Sequence, residues 1–341
     1  THLNNIYDNI NITGIELNQV IYDSIKHMDK ENVKLLNSNY LTYDDNKKFD
    51  LILGNPPFFV MKKKEVDPFY YDYFDGRPNI FMLFIIKSLK LLNENGILSF
   101  VLPKNFLNCL YYDKTRKYIH EKFTILTILE FNDNYIDTQQ ETVIIFIQNK
   151  IPIEKSEYVF NIGLFTIFGL PNNITKIKSL LNNSNTLHNM GFTVYVGNVV
   201  WNQCKTELTN DFNKTLLIYS SDIKNKKLVI QEYKNNDKKN YINKKGSKKP
   251  LLVINRGYGV GKYIFNHCLI NETDEIEYLI ENHLICIEYK NSISKEDLIL
   301  LYKKIINSFE NEKTKEFVNI YFNNNAINTT ELCHILPIYD E

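Results

Sequence analysis

The chain has no paired-cysteine framework, no long apolar run and no net charge of either sign. Its five cysteines in 341 residues (Cys109, Cys204, Cys268, Cys286 and Cys333) are an odd number, widely scattered and without a CxxC pair. Neither a disulfide scaffold nor a zinc site is expected from that spacing, no metal enters the reading, and a reducing compartment is the simpler setting. The longest apolar stretch, residues 80–92, is broken by Lys87 and Lys90. It is shorter and more charged than the roughly 20 apolar residues a bilayer span needs, so no membrane is expected as a partner. No signal-like segment opens the chain, which starts at Thr1 rather than methionine. Repeats at solenoid periods and a nuclease signature are also missing, so a solenoid is excluded and any nuclease would be another chain. With lysine plus arginine and aspartate plus glutamate both at 40, global charge points to no partner class.

What is present is enough apolar material to fold. At 44% hydrophobic and 13% aromatic residues the chain can bury a core, and its length suits two domains. Residues 1–150 alternate short apolar runs with helix-period segments: strands at 12–17, 33–36, 49–53, 96–102, 124–131 and 142–148, helices at 18–28 and 79–92. That alternation predicts an α/β, Rossmann-like, doubly wound and mostly parallel sheet, ending in an antiparallel edge pair because its last two strands lie close in sequence. Residues 151–158 read as a polar linker. From 159 to 341 the alternation lapses into short strands (192–196, 216–219, 251–254) and a helix near 295–307, which predicts a separate α+β or mostly β domain.

Local charge is more informative than the total. Between residues 224 and 262 there are 12 basic side chains against only Glu232 and Asp237. Lys244, Lys245, Lys248 and Lys249 flank Gly246, and Arg256 follows in RGYGVGK. Such a cluster either contacts phosphates or is a solvated lysine-rich loop.

The chemistry is concentrated in residues 49–59, FDLILGNPPFF. An apolar strand closes on Gly54, and Asn55-Pro56-Pro57-Phe58 follows at its carboxyl end, where ligands bind in open α/β sheets. Two prolines fix φ and remove two N–H donors, so the loop presents rigid carbonyls. Asn55 adds a directed amide oxygen and Phe58 a flat apolar face. Two acceptors and a ring are suited to a planar amine.

This segment resembles the (D/N)PP(Y/F/W) motif of amino-group methyltransferases, in particular the adenine-N6 DNA methyltransferases of the Taq-like, gamma-class family. The resemblance extends over most of the chain. It implies that Glu16, in GIEL, holds the ribose of S-adenosylmethionine and that Asn39, where the family commonly has aspartate, reads the cofactor's adenine. Leu17 and Tyr40 would clamp the faces of that adenine, with Asn55 and Pro57 also bordering the cofactor. Residues 96–103 match a later strand ending in proline. On the same resemblance Asn55, Pro56 and Phe58 engage a flipped target adenine, with Tyr135 as the second aromatic across the base. Residues 62–78 suit either a loop that closes over DNA or an ordered surface loop.

The implied activity is methylation of adenine N6 in a specific double-stranded DNA sequence, as in the modification enzyme of a restriction-modification system, within the cytoplasm or another reducing, DNA-containing compartment. Residues 1–150 would be the methyltransferase domain and 159–341 the target-recognition domain, turning the lysine cluster and Arg256 into a phosphate-contacting surface. The family's glycine-rich cofactor loop would precede residue 1. The methyltransferase domain is therefore expected to be N-terminally incomplete, with the loop upstream or supplied by a partner chain; a separate restriction endonuclease is a further possible partner. Two alternatives remain: a non-catalytic DNA-binding or specificity protein derived from such an enzyme, and an NPP-motif methyltransferase acting on RNA or on protein glutamine.

Overall fold

A computed structural model of the chain describes residues 10–44, 47–130, 141–235, 237–257, 263–271, 276–322 and 326–340. The chain divides into two compact units. One comprises the residues up to Phe106 together with Tyr111–Tyr158, the other Leu107–Leu110 together with Val159 onward.

The first unit follows the alternating pattern. Its elements are β1 (Ile12–Glu16), α1 (Gln19–Ile25), β2 (Val33–Asn37), β3 (Phe49–Gly54), α2 (Ile80–Leu91), β4 (Leu92–Pro103), α3 (Asp113–Lys122), β5 (Thr124–Glu130) and β6 (Thr142–Gln148). Strands β1 and β2 pair in parallel, Glu16 opposite Asn37. Strand β3 runs parallel to β4, and β6 lies antiparallel between β4 and β5. The sheet therefore ends in the expected antiparallel edge pair. Among the described residues β1 pairs only with β2, and β3 only with β4.

Period-2 burial in β4 and β6 explains their continuous apolar runs. Leu98, Phe100, Leu102, Val143, Ile145 and Ile147 are all nearly inaccessible, each worth ~1.5–3 kcal/mol when fully buried. Helix α2 buries seven of its twelve residues. The two lysines that interrupt its apolar run reach out of the core: Lys87 Nζ donates to Tyr43 O at 2.6 Å, and Lys90 Nζ sits 3.6 Å from the Phe69 ring centroid. Strand β3 is less buried than its apolar sequence suggested. Leu51 and Leu53, two residues apart and so on one face of the strand, are exposed; among the described residues that face is left uncovered.

The second unit contains β7 (Val159–Ile162), β8 (Phe165–Phe168), α4 (Pro171–Leu181), β9 (Phe192–Val196), β10 (Leu208–Thr209), β11 (Thr215–Ile218), β12 (Ile223–Lys224), β13 (Lys227–Leu228), β14 (Tyr241–Ile242), β15 (Leu251–Asn255), β16 (His267–Ile270), β17 (Tyr278–Ile280), β18 (Leu284–Tyr289), α5 (Lys295–Glu310), α6 (Glu312–Tyr321) and α7 (Thr329–His334). A central antiparallel sheet, β16-β15-β18-β9, is covered on both faces. Alternation in β15 divides its residues: Leu252 and Ile254 join the cluster built with α4 to α6, while Leu251 and Val253 join a second cluster with β11 and β17. A helix layer, a sheet and the second sheet β10-β14-β11-β17 follow from that division.

Residues 107–110 belong to this unit for a local reason. Asn108 Nδ2 donates to Tyr321 O, and the Tyr321 hydroxyl returns a bond to Asn108 O at 3.1 Å, all of it buried. Gly197, just after β9, allows the chain to pass against Glu281. A Cβ there would lie 2.3 Å from the Glu281 carbonyl oxygen.

Candidate active site

Gly54 ends β3 opposite Phe100 of β4, so close that a Cβ would meet the Phe100 ring at 2.9 Å. From there the chain turns outward. Asn55 is exposed, and among the described residues its amide makes no hydrogen bond. Pro56 is buried and Pro57 exposed, which anchors one proline and presents the other. Phe58 is half-buried, its ring edge-to-face with Phe81 at 6.0 Å.

The far end of this loop is tied to the start of α2. Ile80 N–H donates to Phe59 O at 2.9 Å, Met61 N–H to Pro78 O at 2.8 Å, and Val60 bridges Asn79. Asn55 is thus a free acceptor and donor on a loop fixed at both ends. Asn79 is itself buried with its Oδ1 unpaired.

The residues expected to meet a cofactor sit at the carboxyl ends of β1 and β2, which point the same way because the strands are parallel. Glu16 uses Oε1 to accept from Asn18 N–H at 2.7 Å and keeps Oε2 available. Asn37 Nδ2 clamps the turn through Glu16 O at 3.0 Å and Leu17 O at 3.3 Å. Leu17 itself is 69% exposed. Asn39 Oδ1 accepts from Leu41 N–H at 3.0 Å, closing its own turn. Tyr40 is packed more tightly than its neighbours: its hydroxyl meets Ser88 Oγ at 2.7 Å, its ring stacks on Phe84 at 5.1 Å, and burial pushes its phenol pKa up to about 12.

Helix α2 is the element that organises these groups, a role its apolar sequence did not announce. Phe81, Phe84 and Ser88 fall at i, i+3 and i+7, on one helical stripe. Phe58 rests on the first and Tyr40 on the other two. At 1.5 Å rise per residue the two rings are seated within roughly 10 Å along one face.

Tyr135 lies outside the described residues. Residues 62–78 are ordered around an aromatic cluster, with Val66, Tyr70 and Phe74 buried and Tyr73 packed edge-on against Tyr118 at 4.8 Å.

In the second unit the lysine loop is held by its backbone. Thr215 Oγ1 donates to Lys244 O, Gly246 N–H to Glu277 Oε2 at 2.8 Å, and Ser247 and Tyr278 exchange main-chain bonds at 2.9 Å. Gly246 is required there, since a Cβ would sit 2.7 Å from Tyr278 O. Lys244 is paired with Glu207 at 3.1 Å, a bond that raises its pKa. Lys245, Lys248 and Lys249 are exposed and make no ion pair among the described residues. An open cleft of about 700 Å³ is bordered by Lys244, Lys245 and Lys248, and also by Lys214 and by Phe212, which is 72% exposed. Neither was singled out in the sequence, where an isolated phenylalanine in a polar loop carries no signal. Arg256 follows β15, whereas the lysines precede it. Five extended residues put them about 17 Å apart along the strand, so the structure does not bring Arg256 into the lysine loop.

Residues 2–136 match the model of the Eco57I restriction-modification methylase family. The chain is 26% identical over 326 residues to the type II methyltransferase M.CvrRI of Paramecium bursaria Chlorella virus XZ-6E, covering 92% of this chain and 78% of that one. It is 25% identical over 340 residues to the modification methylase CviBIII of Paramecium bursaria Chlorella virus NC1A, covering 96% and 80%. Among solved structures, a class I S-adenosylmethionine-dependent methyltransferase from Listeria monocytogenes superposes on 45% of this chain and 50% of its own at a TM-score of 0.39 and 17% identity. Residues 2–136 are thus similar to the Eco57I restriction-modification methylase family, and nearly the whole length of the chain is similar to type II DNA methyltransferases.

Proposed function

We propose that the chain transfers the methyl group of S-adenosylmethionine to the N6 amine of an adenine flipped out of a specific double-stranded DNA sequence. The observation that carries this reading is Asn55: an exposed, unbonded amide beside a buried proline on a loop fixed at both ends.

The residues present fit the cofactor. Glu16 retains one unengaged carboxylate oxygen, suited to a ribose diol, and exposed Leu17 offers an apolar surface beside it. Asn39 can hydrogen-bond an adenine edge through its Nδ2 while its Oδ1 holds the turn. Tyr40 gives up one ring face to Phe84 and has the other to offer. When bound, the cofactor supplies an electrophilic methyl on a sulfonium.

The target amine lies inside the duplex, so the base must leave the stack at a cost of a few kcal/mol. Stacking on Phe58 returns ~1–3 kcal/mol. The N6 lone pair is delocalised into the purine ring and is a poor nucleophile. Asn55 Oδ1 and the Pro56 carbonyl accept its two hydrogens and draw the lone pair toward the methyl, and both bonds strengthen as positive charge grows on nitrogen and its N–H groups become better donors. Transfer is a direct displacement: the new N–C bond forms as the S–C bond breaks, and the amine then loses one proton to water. No metal or covalent nucleophile of the protein takes part. Lys245, Lys248 and Lys249 would hold the duplex by its phosphates.

Mass spectrometry of nucleosides from unmethylated DNA incubated with the chain and S-adenosylmethionine tests this reading. N6-methyladenine is expected. N4-methylcytosine, or label found only in RNA or protein glutamine, would contradict it. The alternative reading is a DNA-binding protein without turnover. It predicts DNA binding with no methylated product at all.

A further inference from the structure

The turn before β9 and the end of α7 bring together three side chains that methyl transfer does not use. His188, Cys333 and His334 each present one metal-ligating atom, and all three atoms lie within 4.8 Å of one another. The main chain fixes this meeting. His188 N–H donates to Cys333 O at 2.9 Å, Phe192 N–H to Leu187 O at 2.9 Å, and Asn185 and Ile338 exchange bonds at 2.8 and 2.7 Å. The two imidazoles lie 4.4 Å apart between centroids, and Phe165 packs edge-on against His334. Cys333 is buried, its sulfur in a long 3.9 Å contact with Phe192 O and also reached by the Val194 backbone N–H. His334 is half-buried and His188 exposed.

The dimensions suit a transition metal. A point equidistant from three atoms 4.8 Å apart is about 2.8 Å from each, against roughly 2.0–2.1 Å for zinc–nitrogen and 2.3 Å for zinc–sulfur bonds. Each ligand must move inward by about 0.5–0.8 Å, which a rotation of the exposed His188 and small shifts of the other two provide. Two imidazoles and a thiolate are a borderline-soft donor set that selects zinc-like ions over magnesium or calcium. The ammonium of Lys290 is close enough to act on both Cys333 and His334, which further disfavours cations held by charge alone.

We propose that His188, Cys333 and His334 form a three-ligand site for a zinc-class divalent ion, with the fourth position open to water on the His188 side. Binding releases the Cys333 thiol proton to solvent and joins α7 to the turn that leads into β9. Residue 188 is far from 333 and 334 in sequence, so no local spacing announces the set.

Titration of the metal-stripped full chain with cobalt(II), followed by displacement with zinc, tests the site. One equivalent of cobalt should give a thiolate-to-cobalt charge-transfer band in the near ultraviolet with tetrahedral visible bands, and zinc should abolish both. His188→Ala, on an exposed turn, should fold as the wild type does by circular dichroism and weaken cobalt binding by more than ~100-fold, beyond the usual loss from removing a supporting group around a metal. Cys333→Ser should remove the charge-transfer band; if that variant fails to fold, His188→Ala decides alone. A wild-type chain with no thiolate band, or a band undiminished in His188→Ala, overturns the proposal and leaves two imidazoles in tilted contact.

Discussion

In the proposed function, Asn55 and Phe58 divide the work on the target base between polarity and area. Phe58 packs edge-to-face with Phe81, a contact that orients its ring. Phe58→Ala should weaken productive binding of the base by roughly 10- to 100-fold, the equivalent of ~1–3 kcal/mol of stacking. Phe58→Tyr, which keeps the ring, should stay near wild type in a steady-state methylation assay; an inactive tyrosine variant would argue against a stacking role. His267 shows a different residue-level balance. It is buried, which lowers its pKa, while a bond to Glu310 at 3.2 Å works in the opposite direction. The unfolded chain therefore takes up this proton first as pH falls, and stability present above about 6.5 is lost below it. His334 is lowered by burial in the same sense. Thermal melts between pH 8 and 5 should show this decline, and His267→Leu should flatten part of it. Equal slopes in the two proteins would contradict the assignment.

Elements set where these side chains can be. Glycine positions test the packing most cleanly, because each reports one close approach. Gly197→Ala would place a methyl 2.3 Å from the Glu281 carbonyl, a backbone atom that cannot swing away. A loss of at least ~1–3 kcal/mol is expected, visible as a lowered melting temperature. Gly14→Ala should cost less, since its Cβ meets only the movable end of Leu35 at 2.7 Å. Element identity was largely legible in the sequence: residues 12–17, 33–36, 142–148 and 192–196 carry enough period-2 or continuous apolar signal to locate their strands within a residue. The NPPF loop was legible because proline chemistry is local. The platform role of α2 was not, since Phe81, Phe84 and Ser88 look like ordinary core residues until their partners from β2 and β3 are known. Nor was the transfer of residues 107–110 to the second unit, which depends on an Asn108–Tyr321 pair more than 200 positions apart.

At the scale of the whole molecule, the proposed function assigns the base to the NPPF loop of one unit and the duplex phosphates to the exposed lysines of the other. These functions should separate experimentally. Duplex binding by the wild type should weaken steeply with salt, and replacing Lys245, Lys248 and Lys249 together by alanine should reduce the log–log slope by about three, close to 0.9 per phosphate contact. An unchanged slope would move the DNA surface elsewhere. Asn55→Ala should leave that slope intact, because the proposal aims its amide at a base edge rather than a phosphate. The central claim, that an amide oxygen at position 55 activates the target amine, is tested most directly by the single-turnover rate of methyl transfer into saturating unmethylated duplex for wild type, Asn55→Ala and Asn55→Asp. The account predicts a loss of about 100- to 1000-fold for alanine, the scale of removing one preorganised hydrogen-bond partner of a transition state, and partial retention for aspartate, which keeps an acceptor. Alanine and aspartate variants that both transfer at the wild-type rate would contradict it.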